Sequence, residues 1–173
     1  EIMNLKHVEP TLDCDELKDA PVLNAVIFES LRMDPPVPGG FRKAQKDVEQ
    51  KGYRFDAGTM FNYSILLAVT DENIYHNHDQ FCMERFLQES HPLYRKDLVD
   101  SNYIDPRQGK SAYPIFGGGT HVCLGKAFAL LELRILLARM IRQYTLEVRN
   151  EQKIVFPVNG WKVDFKLTKR KEE

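Results

Sequence analysis

No apolar run in this sequence approaches the ~20 residues needed to cross a bilayer. The most apolar stretch, from Phe128 to Ile141, is interrupted by Glu132, Arg134 and Arg139. An excess of charge of either sign is also missing: 24 Lys and Arg stand against 25 Asp and Glu, a formal net charge of -1. Nucleic acid is therefore excluded as the main partner, since phosphate binding calls for a basic face. Cysteine is scarce. Cys14, Cys82 and Cys123 make an odd number with no Cys-x-x-Cys, which argues against a disulfide framework and points to a reducing compartment. A zinc site at His76, His78 and Cys82 lacks a fourth ligand at standard spacing. Ser64, His91 and Asp100 show no spacing of a hydrolytic triad. Internal repeats are absent, as is a signal peptide, and the first residue is Glu1 rather than Met. The expectation is a processed chain or a piece of a longer one, any membrane anchor belonging to the missing part.

The 173 residues suffice for one domain with a core, and 43% hydrophobic residues are too many for a disordered chain. Residues 1–14 read as an irregular lead-in. Asp19, as a capping acid, and Ala20-Pro21 mark a helix start. Leu23, Val26, Ile27 and Leu31 then form an apolar stripe that ends at Met33, before Pro35-Pro36. Phe41–Gln45 begins a strand. Asp47–Gln50 and Tyr53–Phe55 flank a tight Lys51-Gly52 turn. Thr59–Tyr63 is a strand, and Ser64–Val69 a short helix or buried strand. From Leu87 to Pro114 no period is sustained, which predicts a long loop with a functional reason to exist. Leu124–Arg142 is a strong helix. Tyr144–Arg149, Lys153–Phe156 and Trp161–Leu167 read as strands, the last two joined by a turn at Val158-Asn159-Gly160. The fold class is mainly α with small β-sheets.

Phe116-Gly-Gly-Gly-Thr-His-Val-Cys-Leu-Gly125 runs straight into that helix. A cysteine there meets the positive end of the helix dipole and unpaired backbone N–H groups, which favour the metal-binding thiolate. The glycines let the backbone lie close to something flat. A Walker loop fails because Ala127 follows Gly125-Lys126, and a dinucleotide GxGxxG fails at Val122. An inert cysteine at a helix start is the plainer alternative. Elsewhere, Glu29 and Arg32 lie three apart on one helix face and can pair; as a surface pair they contribute little.

The Cys123 string resembles the haem signature of the cytochromes P450, FxxGxxxCxG followed by alanine, with Phe116, Gly119, Cys123, Gly125 and Ala129 matching. That resemblance covers nearly the whole chain, 1–173, as the C-terminal, haem-binding part of the fold. It implies haem b with Cys123 as axial thiolate, and a loop in which Phe116, Gly117, Gly119, His121 and Gly125 lie against the haem. His121 and Arg42 would meet the propionates. Glu29-Ser-Leu-Arg32 matches the family's ExxR pair, and Arg85 the arginine of its PERF-like segment, with Met83 in place of proline. Glu29, Arg32 and Arg85 would then lock the meandering loop onto the core and so position the Cys123 loop. Another departure is His78, where the family often has proline.

Pro35–Ala44 resembles the corresponding segment of retinoic-acid hydroxylases and of sterol- and terpenoid-oxidising members. This makes Val37, Phe41 and Val158 candidate pocket walls, with ordinary core packing as the alternative. The implied function is monooxygenation of a hydrophobic substrate by O2. Electrons come from NADPH or NADH through a reductase or ferredoxin, with Lys126, Arg134, Arg139 and Arg142 as a possible docking face or simply a solvated one. The implied location is the cytosolic face of the endoplasmic reticulum, through an N-terminal anchor. The distal, proton-delivering half lies outside these residues, so the isolated chain is predicted to bind haem poorly and to lack turnover. The alternative is a truncated, non-catalytic binding or regulatory protein of the same fold.

Overall fold

The computed structural model describes residues 14–100, 113–154 and 160–170. Helix α1 (Cys14–Lys18) leads into α2 (Pro21–Met33), and α3 (Ile65–Val69) and α4 (Lys126–Gln143) follow later in the chain. Three separate two-stranded antiparallel sheets accompany them. They pair β1 (Gly39–Lys43) with β4 (Met60–Ser64), β2 (Val48–Gln50) with β3 (Tyr53–Phe55), and β5 (Tyr144–Ile154) with β6 (Gly160–Lys169).

Helix α2 is the hub. It buries Leu23, Ala25, Ile27 and Phe28 together with three polar residues, Asn24, Glu29 and Arg32. Its start differs from expectation: the cap position is Ala20, and no side chain caps it. Pro21 at the first turn needs no N–H partner, which removes one of the groups that an Asp19 cap would have served. Inside the helix, Asn24 ties the junction together in another way, its Nδ2 donating to the Lys18 and Ala20 carbonyls at 2.8 Å each. The lead-in is also shorter than expected, since Cys14 already opens α1.

The 64–69 segment resolves to a helix because the Ser64 hydroxyl accepts the Leu67 N–H at 3.1 Å, a capping bond that a strand would not offer. The expected strand 144–149 and the described part of 153–156 form one strand, β5, with an irregularity between Val148 and Asn150. Such a bulge inserts an unpaired residue and breaks the alternation that a sequence reading relies on. The 87–114 stretch carries a short 3-10 turn at Lys96–Leu98 and one bridge, Tyr75 to Val99, within its described part. The turn expected at 155–159 lies outside the described residues.

Phe28, Phe86 and Tyr113 form the aromatic centre of the core, with ring centroids 5.5–5.9 Å apart. Pairs at that distance add about 0.5–1.5 kcal/mol each beyond burial. The Tyr113 hydroxyl donates to the Phe28 carbonyl at 2.7 Å. Since Tyr113 precedes the Pro114–Phe116 turn that opens the cysteine loop, this cluster ties the loop's start to α2.

Candidate functional site: a buried arginine network under an exposed cysteine loop

Glu29, Arg32 and Arg85 are all fully buried. Arg32 grips Glu29 with two parallel bonds, Nε to Oε2 at 2.8 Å and Nη2 to Oε1 at 2.9 Å. Its remaining donors reach the carbonyls of Val69 (2.9 Å) and His78 (2.8 Å). Arg85 approaches Glu29 Oε1 at 3.3 Å and donates to the carbonyls of His76, Leu98 and Asn77. The Cys82 N–H also donates to Glu29 Oε1, at 2.9 Å. One carboxylate therefore sits between two guanidiniums, and five backbone carbonyls disperse the surplus positive charge. Buried ions are tolerable when each donor is satisfied in this way. Tyr75 places its ring 5.5 Å from the Arg32 guanidinium, and burial holds its phenol well above the ordinary tyrosine range.

This arrangement clamps the irregular 76–98 segment, which has little secondary structure of its own, onto α2. The sequence pairing of Glu29 with Arg32 and the addition of Arg85 are both seen as hydrogen-bonded contacts. The surface-pair reading of Glu29–Arg32 is excluded by their burial. Sequence reasoning missed the carbonyls and the Cys82 N–H, because backbone partners of a guanidinium leave no residue-type signal.

Cys123 is exposed. It lies three residues before α4, not at its first turn, because Gly125 holds the cap position. Its N–H donates to the Phe116 carbonyl at 2.7 Å, and its carbonyl accepts the Lys126 N–H at 3.3 Å. The loop is thus pinned at both ends of the Phe116–Cys123 span. Gly117 has φ +70° and ψ -165°, a region open essentially to glycine alone. A Cβ there would stand 2.7 Å from the His121 carbonyl oxygen. The residues flanking Cys123 include exposed apolar side chains. Leu124 is fully exposed, Val122 and Phe128 are exposed, and nothing lies within 4 Å of a Cβ built on Gly118 or Gly119. Phe116 is half-buried, with Lys126 Nζ 5.6 Å from its ring.

His121 and Gly125 are exposed on the same loop. Arg42 is exposed on β1, where its guanidinium stacks 4.9 Å from the Tyr63 ring and donates to the Phe41 carbonyl. Helix α3 packs against both β1 and the Pro114–Phe116 turn, so that sheet neighbours the loop. Val37 and Phe41 are 55% and 64% exposed, so core packing within the described residues is not their role. Val158 lies outside the described residues. Among the four bases of α4, Arg134 departs from a solvated face: its Nε donates to Asn24 Oδ1 at 2.7 Å. Among the described residues no helix is long and apolar enough to cross a membrane.

The site defines a protein class in which an exposed cysteine loop precedes a long helix, in a fold that also holds a buried ionic clamp on α2. The cytochrome P450 family model matches residues 1–172, and the chain belongs to that family. It is 32% identical over 141 residues to a putative cytochrome P450 120 of Synechocystis sp., covering 82% of this chain and 29% of that protein. It is 36% identical over 126 residues to cytochrome P450 26A1 of Danio rerio, covering 73% and 22%. The solved structure of retinoic acid-bound cyanobacterial CYP120A1 superposes with a TM-score of 0.76 at 30% identity, covering 96% of this chain and 37% of that one. The chain therefore spans less than a third of the length of these two sequence relatives. The fold is the C-terminal part of the P450 fold, α-helices with small antiparallel sheets.

Proposed function

We propose that residues 1–173 form the haem-proximal part of a P450-type monooxygenase, with Cys123 as the axial thiolate to iron. The observation that carries this reading is the exposed Cys123 sulfur on a loop pinned through Phe116 and bordered by open glycines and exposed apolar residues. A flat, largely apolar group with a metal at its centre suits that surface. Among the described residues no three His, Cys, Asp or Glu side chains gather as a metal site. A porphyrin, which brings four nitrogen ligands of its own, matches a single sulfur donor. When bound, haem b supplies the iron chemistry by which one atom of O2 enters a C–H bond and the other leaves as water, consuming two electrons and two protons.

The chain's own residues hold and orient. Phe116, Gly117, Gly119 and Gly125 let the loop lie against the macrocycle, and the Cys123 sulfur contributes the electron-rich ligand. His121 and Arg42 offer cationic or hydrogen-bonding partners to the propionates. Val37 and Phe41, both exposed, would serve as walls for a hydrophobic substrate. A retinoid, sterol or terpenoid fits the company the chain keeps. One relative is solved with retinoic acid, and another, 29% identical over 138 residues, is the lanosterol 14-alpha demethylase erg11 of Schizosaccharomyces pombe. Electrons would come from NADPH or NADH through a reductase or ferredoxin, and the location would be the cytosolic face of the endoplasmic reticulum.

The test is the reduced, carbon monoxide-bound spectrum of the haem-loaded natural gene product carrying this chain. The parent should show the Soret position of thiolate-ligated haem, and Cys123→Ala should lose it. A Cys123→Ala protein with an unchanged spectrum would overturn the assignment. Spectral titration of the parent with retinoic acid and with lanosterol separates the substrate classes.

A further inference from the structure

Helix α4 turns one stripe towards the core, and its spacing is four: Leu130, Arg134 and Ala138. Leu130 and Ala138 are buried, and Leu133, Ile135, Leu137 and Ile141 pack partly against the same core. Most of this stripe is aliphatic. Aliphatic ridges can slip by a turn, ~5.4 Å, and meet nearly equivalent surroundings, so they hold a helix down without fixing where along its axis it sits. Arg134 breaks the pattern. Its Nε meets Asn24 Oδ1 at 2.7 Å.

Asn24 is 8% exposed and is itself immobilised by the two carbonyls at the α1–α2 junction. All three of its polar contacts are therefore directional and belong to different segments: the end of α1, the start of α2, and α4. Burial lowers the Arg134 pKa without discharging it, so a slip of α4 would strand a partly buried cation. A polar contact in an otherwise apolar interface is an effective way to specify register.

We propose that Asn24 and Arg134 form a positioning pair that sets the axial register of α4 on α2, and thereby the place of the Cys123 sulfur relative to iron. The inference rests on the haem-thiolate reading above. The Cys123 carbonyl accepts the first N–H of α4, so the sulfur's loop travels with the helix. Helix α2 also carries Glu29 and Arg32, so one rigid element sets both the clamp beneath the loop and the helix behind it. Neither residue touches substrate or iron.

The experiment compares Asn24→Leu, Arg134→Met, the double variant and Asn24→Asp in the haem-loaded natural gene product. Thermal unfolding, the reduced carbon monoxide spectrum and the iron reduction potential are read together. Each of Asn24→Leu and Arg134→Met should lower the melting temperature. The double variant removes both partners of the Arg134–Asn24 bond and gives up only the Asn24 Nδ2 bonds to the Lys18 and Ala20 carbonyls, so it should recover part of the loss. Its carbon monoxide complex should nevertheless split between the thiolate Soret band and the band of haem that has lost the thiolate, with a shifted potential. Asn24→Asp keeps the acceptor for Arg134 but turns a carboxylate oxygen towards the Lys18 and Ala20 carbonyls; it should lower the melting temperature while keeping the single thiolate band and the parental potential.

A double variant with a single thiolate band and the parental potential would show that the pair merely satisfies two buried groups. A double variant that fails to fold or to take up haem would make the pair a folding requirement, which equally overturns a register role. If the parent itself lacks the thiolate band, the haem-thiolate reading fails, and that outcome is visible before any variant is compared.

Discussion

Glu29→Gln is the sharpest test of how the site is built. The exchange preserves shape and volume but removes the one negative charge between Arg32 and Arg85, both fully buried with it. It also turns an amide NH2 towards guanidinium donors now 2.8–3.3 Å from a carboxylate oxygen. Either orientation of the amide leaves at least one arginine N–H facing a donor. Removing one partner of a buried ion pair costs about 3–5 kcal/mol, against a total stability of about 5–15 kcal/mol for an ordinary domain. For a domain of ~150–250 residues, 1 kcal/mol corresponds to about 2–4 °C, so the melting temperature should fall by about 6–20 °C. The damage is directed. The carbonyls of Val69, His76, His78 and Leu98 lose well-placed donors, so the 76–98 segment should loosen first.

Haem content by pyridine haemochromogen assay, thermal unfolding by circular dichroism, and protease sensitivity between residues 76 and 98 would be measured on the same preparation. Arg32→Ala should abolish haem incorporation, since it leaves Glu29 and two carbonyls with fewer donors. A Glu29→Gln protein within about 1 kcal/mol of the parent by denaturant unfolding, with full haem content, would refute the clamp, because surface-like pairs behave that way.

Three further outcomes are expected. Gly117→Ala should keep its far-ultraviolet dichroism yet lose haem, because the φ +70° backbone and the 2.7 Å approach to the His121 carbonyl act on the loop alone; full haem content would show that the loop has another low-energy path. Tyr113→Phe should cost about 0.5–1.5 kcal/mol by urea unfolding, because the Phe28 carbonyl loses its second donor while the three-ring cluster persists. For Tyr75 burial raises the folded pKa above the ordinary tyrosine value of 10.0, so its contribution is fully present below pH 10 and is lost as pH rises from there towards the folded value. The parent should therefore lose stability above pH 10 more steeply than Tyr75→Phe; parallel curves would mean that the phenol is not held neutral by burial.

Much of the site is written locally. The Phe116–Gly125 string and the three-residue spacing of Glu29 and Arg32 are short-range patterns, and the family resemblance attaches to such patterns. Helix α2 and the β2–β3 hairpin were equally legible, the first from its stripe and prolines, the second from Lys51-Gly52, both with positive φ. The single long strand β5 was not, because its bulge disrupts the period-two signal. Nor was the start of α2, where Ala20 holds the cap position without a side-chain cap and Asn24 instead ties down the Lys18 and Ala20 carbonyls.

Sequence alone therefore singled out the candidates: one sulfur, the glycines of its loop, and the acid and arginines of the clamp. Only the tertiary structure decided how they are held. Arg85 meets Glu29 across 56 residues, Tyr113 meets Phe28 across 85, and Arg134 meets Asn24 across 110. No local rule pairs residues at such separations. The choice is made by packing, which brings a buried donor to whichever acceptor the closed core leaves within reach, because leaving it unpaired costs more than almost any alternative arrangement.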